Sequence, residues 1–452
     1  MRLAVLAFMA LSACGALPVS EVAERRATQT DLPPMKMFSG QPQSATRRSN
    51  GEIARDFLDL SFEMESGRQL PILTRFEGPI EVELRNNVSS SMRTDLNQLI
   101  VRLRREAGID ISLVSRSATP EIVIETVSRR DLQRYVPQAA CFVVPRVAGW
   151  KDFKRNRRGS VTDWTTLKER KQISVLIPRD VSPQEVRDCL HEEVAQALGP
   201  LNDLYRLHDS VFNDDNFHTV LTGFDMTILR AYYAPELRSG MTRRQVAAAL
   251  PGVLARVNPG GERSDPGRSQ RTPRVWINSI EKALGPRAGT EARINAARRA
   301  VAIAQQAGWN ENRMAFSQFA LGRLIMPIDP RGATEAFLAA KRIYDALPGH
   351  EVQSAHVAMQ LSAFALSAGQ ASSAIGLVDA SLPAAAESEN AALLSTLLMI
   401  KAEALALTGR RAEAAIVRLD SLGWARYGIG DDRDVRSRLT EISALSPART
   451  RF

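Results

Sequence analysis

Residues 182–200 read SPQEVRDCLHEEVAQALGP, and this stretch decides how the middle of the chain folds. Ser182 supplies a capping hydroxyl, Pro183 suits the first helical position, and Glu185 places an acid in the first turn. The helix should end at Gly199, which can adopt a left-handed cap, because the proline that follows forbids continuation. Apolar residues recur at helical spacing, namely Val186, Leu190, Val194 and Ala197. The stretch predicts one helix with well-marked ends.

The same helix carries a histidine and two glutamates that invite comparison with a zinc site. The run His191-Glu192-Glu193 begins like the HExxH helix, in which two histidines four residues apart ligate one ion. The residue four places after His191 is Ala195, which cannot ligate. A hydrogen-bonded surface histidine explains His191 more simply, so it is a weaker candidate ligand.

A shift of one residue aligns the helix with a longer zinc-site pattern. Glu192, Gln196 and Asn202 then stand where the three histidines of a metzincin lie in HExxHxxGxxH. Glu193 takes the place of the general base, and Gly199 takes that of the turn glycine. Glu192 and Gln196 are four residues apart and share one helix face, while the glycine lets the chain bring Asn202 towards them. The segment resembles a metzincin whose ligands have been replaced.

The replaced ligands argue against zinc chemistry. Zinc sites favour imidazole nitrogen and thiolate sulfur, whereas one carboxylate and two neutral amides suit a hard cation such as calcium or magnesium. Without a tightly held Lewis acid, Glu193 has no acidified water to deprotonate. We therefore expect no cofactor, and zinc or another divalent cation is the alternative. A hydrogen-bonded network or a ligand cleft is expected from Glu192, Gln196, Asn202 and Asp203, the last being a weaker ligand candidate.

The resemblance to metzincins continues after this helix. Residues 210–214 lie where those enzymes carry a methionine turn, with Phe212 in the methionine's place. The run LTGFDMTILRAYY, residues 221–233, is similar to the closing helix of a matrixin-type catalytic domain. Thr222 and Asp225 are spaced to cap that helix.

A more specific resemblance covers a larger part of the chain. The run HEEVAQALG…ND…DSVFND…LTGFD…ILRAYYAPELRSGM is similar to a family of uncharacterised proteobacterial lipoproteins, domain of unknown function 2927 (DUF2927). The resemblance covers residues 50–255, about half of the chain. Because the family implies no established activity, ligand or partner, the function has to be argued from the residues.

The order of the predicted elements indicates an α+β domain over residues 51–257. A helix is expected over 89–108, where apolar residues recur at helical spacing. Strands are expected at 80–84, 109–115, 121–127, 141–145 and 173–177. The metzincin resemblance implies that these strands form a mixed sheet with packed helices.

The run MRLAVLAFMALSAC at the start of the sequence has the features of an export signal. Its apolar part is too short to span a bilayer, and Leu11-Ser12-Ala13-Cys14 matches the bacterial lipobox. This resemblance implies a signal peptide over residues 1–13 and lipidation of Cys14. Because Gly15 follows the cysteine, we expect an envelope protein that is anchored by lipid in the outer membrane and faces the periplasm. An ordinary signal peptide with an incidental cysteine is the alternative.

Export changes how the remaining two cysteines are interpreted. Cys141 and Cys189 are the only other cysteines of the chain. In an oxidising periplasm such a pair is more often a disulfide than two free thiols. Two free buried thiols are the alternative.

The remainder of the chain divides at two polar segments. Residues 14–50 are rich in Pro, Ser, Thr, Gln and Arg and predict a disordered tether. Residues 258–274 are rich in Pro, Gly and Arg and predict a linker. Residues 275–452 are rich in Ala and have a helical pattern throughout.

Two segments of this helical part are alike. GQASSAI from Gly369 and GRRAEAAI from Gly409 lie 40 residues apart, and GATEAF from Gly332 is a weaker echo. Helix pairs at this period resemble tetratricopeptide-type repeats, whose concave surfaces bind protein partners. A helical bundle without repeats is the alternative.

Composition and motifs exclude several classes of function. The 59 Lys and Arg exceed the 50 Asp and Glu, but they are scattered and lack the interleaved aromatics of a nucleic-acid surface, so no nucleic acid is expected. No GxSxG, Walker loop, dinucleotide fingerprint or CxxC occurs. We expect a non-catalytic binding or scaffold lipoprotein, with protein or peptide partners at the degenerate cleft and the helical repeat. A divergent metallopeptidase acting on an envelope protein, with Glu193 as general base, is the alternative.

Overall fold

A computed structural model describes residues 32–40, 43–86, 88–137, 139–264, 267 and 271–447. The signal peptide expected over 1–13, Cys14 and much of the expected tether therefore lie outside the described residues. The chain divides into a unit Met1–Pro34 and a unit Met35–Phe452, and the following description concerns the second unit. No helix in the described part of the chain is both long enough and apolar enough to cross a membrane.

A five-stranded sheet forms the centre of the first half of this unit. Its strands are β1 (Ile80–Arg85), β2 (Ile111–Val114), β3 (Ile122–Val127), β4 (Phe142–Pro145) and β5 (Ile173–Pro178), in the order β2-β1-β3-β5-β4. Four strands run parallel, and β4 pairs antiparallel with β5 at one edge. Every residue of β5 is buried, as is typical of a strand covered on both faces. The expected mixed sheet is confirmed.

Helices cover this sheet and share its core. They are α1 (Asn50–Ser61), α2 (Ser90–Glu106), α3 (Arg129–Tyr135), α4 (Trp150–Asn156), α5 (Pro183–Leu198), α6 (Gly223–Tyr232) and α7 (Arg243–Val257). Side chains of α1, α2, α5, α6 and α7 join those of the strands in one hydrophobic cluster. The candidate site on α5 is therefore supported by a continuous core rather than by loops.

A disulfide ties this domain together at the helix that carries the candidate site. Cys141 and Cys189 are bonded, with their Cα atoms 5.9 Å apart, so the predicted disulfide is confirmed. Cys141 immediately precedes β4, and Cys189 lies in the middle of α5. The bond therefore links the edge strand of the sheet directly to α5.

The second half of the chain is entirely helical where the structure describes it. Its helices are α8 (Arg274–Leu284), α9 (Thr290–Gln306), α10 (Asn312–Ile325), α11 (Pro330–Ala346), α12 (Glu351–Ser367), α13 (Ala371–Glu387), α14 (Ala391–Leu407), α15 (Arg411–Gly428) and α16 (Asp432–Ala444). The helices α9, α11, α13 and α15 begin 40 or 41 residues apart. Gly369 and Gly409 take positive φ values of 72° and 78° before α13 and α15. The helical region is confirmed, whereas its tetratricopeptide likeness stays a prediction.

The described end of the expected tether packs against the folded chain. The backbone amide of Lys36 donates to the carbonyl of Gly423 at 2.9 Å, and the Phe38 ring stacks on that of Trp424 at 4.5 Å. Arg48 is partly buried and pairs with Asp56 of α1 at 2.8 Å. From Met35 onward the segment expected to be a tether thus contacts both halves of the chain. Its polar composition gave no indication of contacts with distant partners, such as that of Phe38 with Trp424 and that of Arg48 with Asp209.

Candidate functional site

The helix α5 begins as its sequence predicts but ends for a different reason. The Ser182 hydroxyl accepts the backbone amide of Glu185 at 3.1 Å, and Pro183 is the first helical residue. Gly199 has a φ of −165°, so the expected left-handed cap does not form. A Cβ atom at this position would lie 2.9 Å from the Tyr232 ring. Close approach of α6, rather than backbone conformation, therefore requires a glycine here.

The two amides aligned with metzincin ligands act as hydrogen-bond donors. Gln196 Nε2 donates to Glu65 Oε1 at 3.4 Å, and Asn202 Nδ2 donates to the carbonyl oxygen of Asp59 at 3.0 Å. Both side chains are buried. Among the residues that the structure describes, no group of three or more His, Cys, Asp or Glu side chains is placed to hold a metal ion.

His191 is a buried acceptor rather than the surface residue expected from the sequence. Its Nδ1 accepts the backbone amide of Leu221 at 3.0 Å. Burial holds the pKa of His191 well below its usual range, and the positive charge of Arg102 lowers it further. The neutral ring therefore holds the chain just before α6 through a partner that no local pattern predicts.

Five carboxyl groups form an acidic cluster beside α5, and we use that name for Glu65, Glu192, Glu193, Asp203 and Asp214. Burial, together with the nearby charges of Glu65 and Asp214, raises the pKa of Glu192 to about 8. Burial also raises the pKa of Glu193 and of Asp203 well above their usual ranges, and the carboxylates of the cluster act in the same direction. The protonated forms of these carboxyl groups are therefore favoured, and Glu192 is mostly protonated at neutral pH.

The cluster opens into a cleft of about 610 Å³. Its walls come from the chain after α1, from the loop between α5 and α6, and from the start of α8. Residues along these walls include Glu65, Ser66, Asp203, Tyr205, Asp214 and Ile277. The end of the expected linker, residues 271–273, forms part of the same wall. The cleft therefore lies where the α/β half of the chain meets the helical half.

The positive charges around the cleft are already paired. Three arginines line it, and each forms an ion pair with a lining carboxylate outside the acidic cluster. Among the residues described, no member of the acidic cluster forms an ion pair. Asp214 instead accepts a hydrogen bond from the Tyr205 hydroxyl at its Oδ2 atom, at 2.7 Å. The three pairs are Arg206–Asp59, Arg271–Glu63 and Arg274–Glu281. The cleft therefore contains carboxyl groups that no described Lys or Arg side chain pairs with.

The loop between α5 and α6, residues 199–222, is held at its far end by a capping network. Thr222 accepts the backbone amide of Asp225, and the Asp225 carboxylate accepts the amide of Thr222 at 2.8 Å, so the predicted cap is confirmed. The same carboxylate accepts the Ser210 hydroxyl at 2.5 Å. Phe212 is fully buried. The loop that walls the cleft is therefore fixed at both α5 and α6.

The part of the chain that carries this site matches a known protein family. Residues 50–252 match the family model of a protein of unknown function, DUF2927. The match begins at the first residue of α1 and ends inside α7, so it includes the whole sheet and α5. No curated protein matches the chain. The DUF2927 region thus contributes the acidic cluster and two walls of the cleft, while α8 lies beyond it.

The α5–α6 loop of the DUF2927 region inserts against the helical half. Phe217 packs among Phe316, Phe319 and His356, with ring centroids 5.8, 5.5 and 4.9 Å away. Gln353 Nε2 donates to the carbonyl of His208 at 2.5 Å. Side chains of α10 and α12 therefore bind the loop from the helical side.

Four histidines meet at this contact. The rings of His208 and His350 stack with centroids 4.1 Å apart, and His218 Nε2 lies 2.8 Å from the carbonyl oxygen of His208. Burial lowers the pKa of His208 to about 3 and that of His356 to about 3. These rings are therefore neutral at physiological pH and serve packing rather than charge.

A second contact joins α5 itself to the helical half. Arg187 Nη1 pairs with Glu389 Oε2 at 3.1 Å, and the side chains are only 3% and 9% exposed. Glu389 has a positive φ of 52° in the turn between α13 and α14. Gln184 Nε2 donates to Asn390 Oδ1 at 3.1 Å beside this pair. Polar contacts thus join both α5 and the α5–α6 loop of the DUF2927 region to the helical half.

Glu65 is the site residue that sequence reasoning missed. It follows α1, more than a hundred positions before α5, and no local motif surrounds it. Its carboxyl group accepts the Gln196 amide, and burial and the nearby charge of Asp214 raise its pKa. The structure therefore places Glu65 with predicted residues that the sequence could not connect to it.

Proposed function

We propose that this protein is a non-catalytic binding protein whose cleft beside α5 receives a segment of a protein or peptide partner. The cleft carries the proposal, because it is walled jointly by the DUF2927 region and α8. Its volume of about 610 Å³ lies within the range of roughly 300–1,000 Å³ that is common for ligand sites. Its walls combine apolar side chains with hydrogen-bonding groups, as binding clefts do.

We place this partner at the cleft rather than where the α5–α6 loop lies. The helical surface formed there by α10 and α12 is covered by Phe217 and bonded to the loop through Gln353. A protein partner of the repeat-like helices would have to use another part of their surface. The cleft needs no such rearrangement, because it is open to solvent at Glu65, Ser66 and Asp214.

The residues at the metzincin-aligned positions do not fit zinc. They offer one carboxylate and two amides, and both amide nitrogens donate to oxygen atoms of the protein. Glu193, the base of the alternative peptidase hypothesis, is 4% exposed. Burial raises the pKa of Glu193 well above its usual range and so favours the protonated form, which cannot act as a general base. These features support binding over hydrolysis.

Filling the cleft should weaken peptide binding. We expect peptides selected from a random library on the full chain to bind a Ser66→Trp variant about tenfold more weakly or worse, because the indole occupies the cleft. Ser373→Trp, on the exposed face of α13, is the matched control and should bind normally. Fluorescence anisotropy of the labelled peptides measures both affinities.

Two results would contradict the proposed function. One is equal binding of the selected peptides to wild type and Ser66→Trp. The other is zinc-dependent hydrolysis of a denatured protein substrate by wild type that disappears in Glu193→Gln, which would support the peptidase alternative.

We further propose that the chain is an envelope lipoprotein anchored through Cys14, in the outer membrane and facing the periplasm. The lipobox residues 11–14 support this proposal, and the Cys141–Cys189 disulfide suits an oxidising compartment. Labelled palmitate should enter the wild-type protein in bacterial cells and not a Cys14→Ser variant. Equal labelling of the two proteins would exclude this anchor, and membrane fractionation separates outer from inner membrane.

A further inference from the structure

The acidic cluster contains carboxyl groups for which the described part of the protein offers no cationic partner. Its five carboxyl groups come from the chain after α1, from α5 and from the α5–α6 loop, so the fold brings together groups that repel one another. No described Lys or Arg pairs with any of them, although three arginines on the same cleft pair elsewhere. An arrangement of this kind costs stability unless something else contributes positive charge.

Two buried oxygen atoms of the cluster have no hydrogen-bond partner. They are Glu193 Oε2 and Asp203 Oδ1. Glu193 is more than nine-tenths buried, and the charges that act on it most strongly are Glu192 and Glu65, so its free oxygen belongs to the cluster. Asp203 lines the cleft directly. Unsatisfied buried oxygens are uncommon and indicate a missing donor.

The walls of the cleft suit a long side chain with a charged tip. Leu204, Tyr205, Pro273 and Ile277 supply apolar surface next to the carboxyl groups. Lysine and arginine bury their methylene stems along apolar surface while their charged groups reach polar partners. A bare metal ion uses none of this surface, and no group of three acidic or imidazole side chains among the described residues is placed to hold one.

We propose that the acidic cluster binds the guanidinium or ammonium group of an arginine or lysine side chain in an extended segment of a protein partner. This inference rests on the proposed function and names its ligand. The cation would donate to Asp203 and Glu65 at the cleft wall, with Glu193 and Glu192 behind them. An arginine can donate to two carboxylates at once through its planar group. The open mouth at Ser66 and Asp214 lets the partner chain continue in both directions.

Binding should release protons, because the cluster exchanges them for the cation. Without a ligand, burial and mutual repulsion keep the pKa of Glu192 at about 8 and that of Asp203 well above its usual range. A bound cation stabilises the ionised carboxylates and lowers these pKa values. The affinity should therefore rise as the pH increases from 6 towards 9, and calorimetry in buffers of different ionisation enthalpy should detect the released protons.

The test uses the full chain and a short Gly/Ser peptide that carries two arginines. We expect it to bind wild type, and the same peptide with citrulline in place of arginine to bind about 30-fold more weakly or not at all. Asp203→Asn and Glu65→Gln should each weaken binding of the arginine peptide by a similar factor. Glu335→Gln, an equal change of charge on the exposed face of α11, should leave it unchanged. Because Glu65 is solvent-accessible, its variant is expected to fold even if Asp203→Asn does not.

The outcomes separate this inference from the proposed function. If library peptides bind at the cleft but citrulline and arginine peptides bind equally, the cation proposal is wrong and the binding function stands. If Ser66→Trp affects no peptide, both are wrong. If spermidine binds as tightly as the peptide, the cation does not have to come from a protein side chain, and the proposal of a protein partner is wrong. If stoichiometric Ca²⁺ displaces the peptide, the cluster is a metal site and the proposal of a side-chain cation is wrong.

Discussion

Replacing Arg187 with alanine is expected to lower the free energy of unfolding by about 3–5 kcal/mol. The substitution leaves the Glu389 carboxylate without its guanidinium partner in a buried position, where its side chain is 9% exposed. Arg187 also lies over the rings of Phe38 and Tyr427 at 5.6 and 5.3 Å, so packing is lost as well as charge. The large effect follows from removing the guanidinium charge beside a buried carboxylate and not from the net strength of the pair.

Thermal and urea unfolding of the two proteins would measure this effect. Glu413→Ala is the matched control, because Glu413 pairs with Arg410 on the surface of α15, where the side chains are 45% and 51% exposed. Its effect should stay within about 0.5 kcal/mol, as for most exposed pairs. A loss of less than about 1 kcal/mol for Arg187→Ala would mean that α5 is not held to the helical half by this contact.

Removing the disulfide by a Cys141→Ala, Cys189→Ala double substitution should cost about 4 kcal/mol. The bond closes a loop with a sequence separation of 48, and the cross-link limits the freedom of the unfolded chain. Because the loop runs from the residue before β4 to α5, the variant should also expose the β4 edge more often in hydrogen exchange.

Reduction supplies the control for the disulfide prediction. Dithiothreitol should lower the unfolding midpoint of wild type towards that of the double variant and leave the variant unchanged. Alkylation of Cys141 and Cys189 in the native, unreduced protein would contradict the bond itself.

Local signals in the sequence were sufficient for the elements around the site. The start of α5 at Ser182 and the cap of α6 at Thr222 depend on residues three positions apart, and both form as expected. The strand pattern predicted all five strands, although β2 and β4 are shorter than expected, and the mixed sheet was implied by the metzincin resemblance. The disulfide could be predicted from the expected oxidising compartment and from the presence of only two further cysteines. Interactions of short range leave a pattern that a single sequence can display.

Interactions between distant residues left no such pattern. Glu65, Arg48 and His191 each owe their role to a partner far away in sequence, namely Gln196, Asp209 and Leu221. The glycine at 199 was expected for its conformation, but the Tyr232 ring requires it. Polar composition likewise assigned residues up to 50 to a tether, although Phe38 and Arg48 pack into the fold. Burial and pairing of polar groups are decided by the tertiary fold, which composition does not reveal.

The α5–α6 loop has a consequence for any ligand of the helices that it contacts. A segment covalently attached at both ends competes for its binding surface at an effective concentration on the order of millimolar. A soluble protein at micromolar concentration would therefore need an intrinsic affinity roughly a thousand times greater than that of Phe217 and its neighbours to displace them. Because the loop already occupies this surface, only ligands that bind strongly or at several points can displace it.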